Sequence, residues 1–137
     1  VESLELVERL AGAEIGETYN QYADSALRQK RLCDYIAARA DAEIVLVGEA
    51  AGYRGARISG VPFTSERQLS GSGLAEATAT IVHRVLAKLG VGRLAAAVLD
   101  APYVRHPSHG GAAEFEEGLE RHFATIRRRR APVRPFS

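Results

Sequence analysis

Residues 43–66 read Glu43-Ile44-Val45-Leu46-Val47-Gly48-Glu49-Ala50-Ala51-Gly52-Tyr53-Arg54-Gly55-Ala56-Arg57-Ile58-Ser59-Gly60-Val61-Pro62-Phe63-Thr64-Ser65-Glu66, and how this stretch is read decides the fold. Ile44 to Val47 is an unbroken apolar, mostly β-branched run. Such a run fits a strand covered on both faces, as in a parallel sheet with helices on each side. The run stops at Gly48, and Gly52, Gly55 and Gly60 follow, with Glu49, Tyr53, Arg54, Arg57, Phe63 and Thr64 set among them. Glycines let backbone and polar groups crowd close to a bound molecule. In open α/β folds ligands sit at the carboxyl ends of strands, so this turn is the first candidate site.

Working outward toward the N-terminus, the spacing of Leu27, Leu32, Tyr35 and Ile36 predicts a helix over about 25–40, capped by Asp24 or Ser25, that delivers the chain into the run. Cys33 lies in that helix and is expected to pack as a small apolar residue. Residues 15–22 have no clear period; Thr18, Tyr19, Asn20, Gln21 and Tyr22 either line a site or form a packed surface loop. Leu4, Val7, Leu10 and Ala11 predict a short amphipathic helix over 3–11, closed by Gly12.

Toward the C-terminus, Ser70, Gly71, Ser72 and Gly73 form a joint before a helix over 74–89 that buries Thr78, Ile81, Val82, Val85, Leu86 and Leu89 and stops at Gly90. His83 and Arg84 lie beside that stripe, and His83 reads as a partly exposed helix residue. Residues 91–99 look like another helix start, which leaves a single further strand candidate, Tyr103 to Arg105. A doubly wound sheet needs more strands than that. Either the fold is smaller than such a sheet, or a segment is missing at the Gly90–Val91 junction; the second is the expectation. A second polar turn, 101–111, precedes a helix from 112 to about 127 with Phe115, Leu119, Phe123 and Ile126 on one face. Gly118 inside it costs about 1 kcal/mol relative to Ala. The start of this helix favours an anion, because its free N–H groups and positive dipole end converge there.

The chain has 137 residues and 46% apolar content, enough for one domain with a core, expected over 1–126, followed by a basic, solvated tail over 127–137. No window approaches the roughly 18 apolar residues of a membrane span, and the first residues lack the features of a signal peptide. A soluble cytoplasmic protein without a membrane partner is the expectation. One cysteine allows no internal disulfide and no multi-cysteine zinc or iron–sulfur site. The net charge of +1 conceals an asymmetry: residues 121–137 hold six arginines and no acid, while the first 120 residues hold 12 basic and 17 acidic side chains, a net of −5.

Three elements in order, Gly48-Glu49-Ala50-Ala51-Gly52, then Val61-Pro62-Phe63-Thr64, then His106-Pro107-Ser108, resemble the paired motifs of the uracil-DNA glycosylase superfamily. The resemblance implies a three-layer α/β/α sandwich around a short, mostly parallel central sheet. It also implies a monomeric, cofactor-free enzyme that flips uracil or another deaminated base out of DNA and hydrolyses its N-glycosidic bond. That chemistry needs an aromatic face on which the base stacks, and Phe63 supplies it. Uracil leaves as an anion, so a donor aimed at its O2 stabilises the transition state, a role that falls to His106 unless that residue only caps a strand end. Glu49 holds the nucleophilic water, stabilises positive charge on the sugar, or accepts hydrogen bonds from loop amides. Ala50, Ala51, Gly52 and Tyr53 shape the base pocket, and Ser108, His109 and Gly110 grip phosphate, with Arg54 and Arg57 as further backbone contacts or as solvated arginines.

The chain departs from the family in several places. The branch with the closest first motif usually has proline where Ala51 stands and a second acid where Gly55 stands, and it carries an iron–sulfur cluster. Some members exclude thymine with a tyrosine at the position of Gly52, so discrimination here passes to another residue such as Tyr53. The strand that brings an asparagine to the base edge falls at the Gly90–Val91 junction. A second reading is therefore a module that holds damaged or abasic DNA without turnover. A third, a phosphate- or nucleotide-binding α/β domain, rests only on glycine-rich turns and lacks the Gly-Lys-Ser/Thr and dinucleotide glycine patterns.

Overall fold

The structure is a computed structural model that describes residues 3–42, 44–90 and 110–130. The chain divides into two compact units, Val1–Val98 and Leu99–Ser137. In the first unit lie α1 (Ser3–Ala11), α2 (Ala26–Ala37), α3 (Ala56–Ser59), α4 (Glu66–Ser70) and α5 (Ala77–Lys88); in the second lies α6 (Ala112–Arg130).

The described residues are helical and contain no sheet, which overturns the expected α/β/α sandwich. The Ile44–Val47 run is extended, but only Val45 takes part in a β-bridge, and Val47 is 51% exposed. An apolar run becomes a buried parallel strand only when a ladder forms on each edge and helices cover both faces. Four apolar residues specify burial, not a partner. The other strand candidate, Tyr103 to Arg105, and the Gly90–Val91 junction lie outside the described residues.

Where the expectation rested on helical period the helices are present, but Leu4 and Leu10 of the expected α1 stripe are exposed. α1 packs on α2 through a small core of Val7, Tyr22 and Leu32, against which Ala11, Cys33, Tyr35 and Ile36 are packed. Leu27, expected on the buried side of α2, is 58% exposed. Ser25 is the N-cap of α2, its Oγ accepting from Arg28 N at 3.3 Å. Asn20 closes the other end of the α1–α2 connection: its Nδ2 donates to the carbonyls of Leu10 at 2.7 Å and Ala13 at 3.1 Å, the loose carbonyls after α1. α5 buries Ala79, Val82 and Val85 and stops at Gly90 with φ 69°. α6 runs three residues further than the expected end at about 127, so Arg127 to Arg130 continue the helix, and Phe115, Leu119 and Phe123 are buried along it. Among the described residues no helix is long and apolar enough to cross a membrane.

Candidate functional site

The glycine-rich turn is not one loop. Two short helices, α3 and α4, interrupt it, and together with α2 and α5 they frame the candidate site in the first unit. Gly60 ends α3 with φ 79°, where an L side chain is strained, and a Cβ there would lie 2.7 Å from Arg28 Cβ on α2. That close approach lets Arg28 of α2 and Tyr22, which precedes α2, seize the turn. Arg28 Nε donates to Ile58 O at 2.9 Å, and Tyr22 Oη, buried, donates to Gly60 O at 2.9 Å. Burial raises the Tyr22 pKa above its ordinary value. Arg31 grips Glu66 of α4 in two-pronged fashion at 2.8 and 2.9 Å and donates to Ser59 O at 3.2 Å. The Glu66 carboxyl sits below its ordinary pKa because of that guanidinium.

Between Gly60 and α4 the chain bends through Phe63, the one non-glycine residue with positive φ among the described residues, at 52°. A bulky residue rarely adopts this left-handed conformation, and it persists only when its surroundings over-determine it. Here they do. Ser59, fully buried, donates from Oγ to Thr64 O at 2.6 Å and accepts from Val61 N at 3.1 Å. Thr64 Oγ1 donates to Pro62 O at 3.0 Å and meets His83 Nε2 at 3.0 Å. Because the single hydroxyl hydrogen of Thr64 goes to Pro62, His83 must donate from Nε2, which assigns its tautomer. Ser65 N donates to Gln68 Oε1 at 2.7 Å and so fixes the start of α4.

The strained bend puts the Phe63 ring on the backbone of Gly48, where a Cβ would fall 2.9 Å from the ring's Cζ. Two parts of the sequence motif, fifteen residues apart, therefore meet edge to backbone, and glycine at 48 is what leaves the room. On its other side Phe63 helps line a cavity of about 230 Å³ with Leu46, Val82, Leu86, Thr64 and His83. Arg39 and Tyr35 complete that wall, the guanidinium lying 3.9 Å from the Tyr35 ring centre. Burial first, and then the like charge of Arg39, lower the His83 pKa, against a raising contact with the Phe63 carbonyl. His83 is exposed, in line with its reading as a partly exposed helix residue, and it also forms part of the cavity wall.

The remaining predicted site residues separate into groups. Glu49, Ala50 and Ala51 are exposed, and Glu49 has no hydrogen-bond partner among the described residues. Gly52 and Gly55 lie over the carboxylate of Glu76, onto which a Cβ at 52 would fall, and Arg54 N donates to Glu76 Oε2 at 3.0 Å. Sequence reasoning missed Glu76 because an acid just before α5 reads as an ordinary partner of a helix N-terminus. Tyr53 is 76% exposed and faces Arg57, whose guanidinium carbon lies 4.4 Å from its ring centre and 4.8 Å from that of Tyr19. Tyr53, Arg57 and Tyr19 thus form an exposed stack. Gly110 is exposed just before α6 with φ 81°. His106, Ser108 and His109 lie outside the described residues. Of the loop at 15–22, Asn20 and Tyr22 have structural partners, while Tyr19 belongs to the outer stack. Among the described residues there is no group of three or more His, Cys, Asp or Glu that could hold a metal ion. Comparison with known proteins returned no matching family model, no matching curated protein and no matching solved structure, so the site is described by its own geometry.

Proposed function

We propose that the chain is a monofunctional DNA N-glycosylase of uracil-DNA glycosylase type, which takes uracil or another deaminated base out of DNA and hydrolyses its bond to the sugar. The observation that carries this reading is the Phe63 bend: an aromatic ring held in a strained left-handed conformation against the bare backbone of Gly48. Strain of this kind costs of order 1–3 kcal/mol and persists where a group must be positioned before its ligand arrives. A flipped base needs such a ready stacking face beside backbone that approaches closely, because unstacking already costs a few kcal/mol. In this reading the base stacks on Phe63 beside the 48–52 backbone and Glu49 serves the water or the sugar, while the role of donor to the O2 of the leaving base is given to His106 on the sequence motif alone. Ser108, His109 and Gly110 grip the neighbouring phosphate.

The test is release of free base from a single-stranded oligonucleotide carrying one uracil, with parallel substrates bearing hypoxanthine, xanthine and mismatched thymine. Wild type releases uracil; Phe63→Ala and His106→Ala each lose most of the rate, on the order of 100-fold or more. No release from any substrate overturns the enzyme reading. The exposed, unpartnered Glu49 favours one alternative, a module of the same kind that holds damaged or abasic DNA without turnover. Tight, salt-sensitive retention of abasic DNA with no product would identify it.

A further inference from the structure

The outer stack of Tyr19, Arg57 and Tyr53 is explained by neither the core nor the Phe63 bend. Arg57 lies 4.8 Å from the Tyr19 ring centre and 4.4 Å from the Tyr53 ring centre, so one guanidinium serves two rings. Both rings are largely open to solvent, Tyr53 at 76% and Tyr19 at 47%. Tyr19 is steadied from behind, its hydroxyl accepting from Arg28 Nη1 at 3.2 Å, and Arg28 is itself anchored to the carbonyls of Ile58 and Gln21. The Tyr53 end is steadied from below, through Arg54 N on Glu76. Two exposed aromatic faces with a cation between them are thus brought together, Tyr19 from the α1–α2 connection and Tyr53 from the segment that leads from Gly52 into α3.

We infer that this stack is a platform for the unpaired bases next to the reacting nucleotide, and that the preferred partner is therefore single-stranded DNA. Tyrosine faces accept any base by stacking, but only a base whose own face is uncovered, which a duplex does not offer. Charge points the same way. Residues 1–98 hold 11 basic and 12 acidic side chains, so the first unit taken by itself has no excess of positive charge, and the six arginines of 121–137 belong to the second unit. The cations tied to the platform are Arg28, through the Tyr19 hydroxyl, and Arg57, through both rings. Asp24 lies 3.7 Å from Arg28 and offsets part of its charge, and Glu76 is engaged by the Arg54 amide, while Arg57 is committed to the rings. Stacking supplemented by a few cations is the recognition mode of single-strand binders. This assignment names the substrate of the proposed glycosylase and rests on that reading for the reacting base, but the platform itself is testable without any lesion.

The experiment uses the full chain, a fluorescein-labelled 12-mer of thymidine and a mixed-sequence 12-base-pair duplex, followed by anisotropy, together with uracil release from single-stranded and duplex substrates. Wild type binds the thymidine strand at least about 10-fold more tightly than the duplex. Tyr53→Ala and Tyr19→Ala each weaken strand binding by about 5- to 100-fold with little change in salt slope, since no charge is removed, and Tyr53→Phe restores wild-type binding. Tyr53 is so exposed that its loss leaves the fold intact, which a matching thermal transition verifies. Equal binding of strand and duplex, or a Tyr53→Ala protein that binds like wild type, overturns the platform. If uracil release persists in that case, the glycosylase reading stands without it. If the strand is bound as predicted but no base is released, the platform stands and the glycosylase reading falls.

Discussion

From Gly48 to Arg54 the candidate site leaves Glu49, Ala50, Ala51 and Tyr53 exposed, and its ties are the Phe63 ring against Gly48, the Arg54 N to Glu76 bond at 3.0 Å, the Tyr53–Arg57 stack and the bonds from Gly55 N and Arg57 N to Gly52 O. From Ser59 to Ser65 the same turn is held by a buried serine, a buried tyrosine hydroxyl, two arginines of α2 and the Thr64–His83 contact. The first arm carries the polar groups expected to meet a substrate, and the second carries the ring on which it would rest. A stacking face has to be rigid to lower the cost of receiving a base, whereas groups that close around a ligand need freedom to do so. Under the proposed reading, the arm with many ties is the one that holds the stacking ring, and the arm with few is the one that carries Glu49.

The largest effect should come from overloading the stapled arm. Gly60→Ala places a methyl 2.7 Å from Arg28 Cβ and 2.9 Å from its Cα, at a φ of 79°. Backbone Cα cannot swing aside as a flexible side-chain end does. Left-handed strain of about 1–2 kcal/mol and overpacking of about 1–3 kcal/mol together predict a loss of about 2–5 kcal/mol. A urea midpoint measured against wild type checks this. An unchanged midpoint would mean that α2 does not clamp the turn.

How much of this was legible in the sequence depended on the range of the contacts. The helices α1, α2 and α5 announced themselves through local period, and Ser25 and Gly90 through local chemistry at their ends. The Ile44–Val47 run misled because a strand is completed by partners elsewhere in the chain, and four apolar residues do not say whether those partners exist. Phe63 was found through its motif, but nothing in Val61-Pro62-Phe63-Thr64 signals a positive φ, which arises from Ser59, Thr64 and His83 acting together. Glu76 and His83 were missed for a related reason. Each meets its partner across about twenty residues of sequence, where no spacing rule operates.

An intermediate effect is expected from the open arm. Glu76→Ala removes the acceptor of Arg54 N on a part-exposed surface, at a cost of about 0.5–1.5 kcal/mol. Loosening should be local, so trypsin cleavage after Arg54 or Arg57 should quicken several-fold while cleavage after Arg67 keeps pace only with global stability. Glu76→Gln, which keeps an acceptor oxygen, should lie closer to wild type. A Glu76→Ala protein as damaged as Gly60→Ala would erase the distinction between the arms.

The smallest effect should be the pH response of the joint between the stapled arm and α5. His83 donates to Thr64 Oγ1, has the Phe63 carbonyl beside it, and shares its cavity wall with Arg39 and Tyr35. Burial and the Arg39 charge hold its folded-state pKa below the ordinary value of about 6.5. Above that pH both folded and unfolded states carry neutral imidazole, and the full stability is present. As pH falls below it the unfolded chain takes up the proton first, so stability declines until pH passes the lowered folded-state value. The Glu66 carboxyl has a lowered pKa as well, but its contribution is lost only as pH drops below its ordinary value of 4.5. Urea midpoints between pH 5 and 8 stay above the Glu66 range, and comparison with a His83 variant separates His83 from the other three histidines. Wild type should lose stability toward pH 5, and His83→Gln, which keeps a donor without taking a charge, should flatten that slope. An equal slope in the variant would remove His83 from the joint and leave Ser59 and the α2 arginines as the groups that hold Phe63 in its strained conformation.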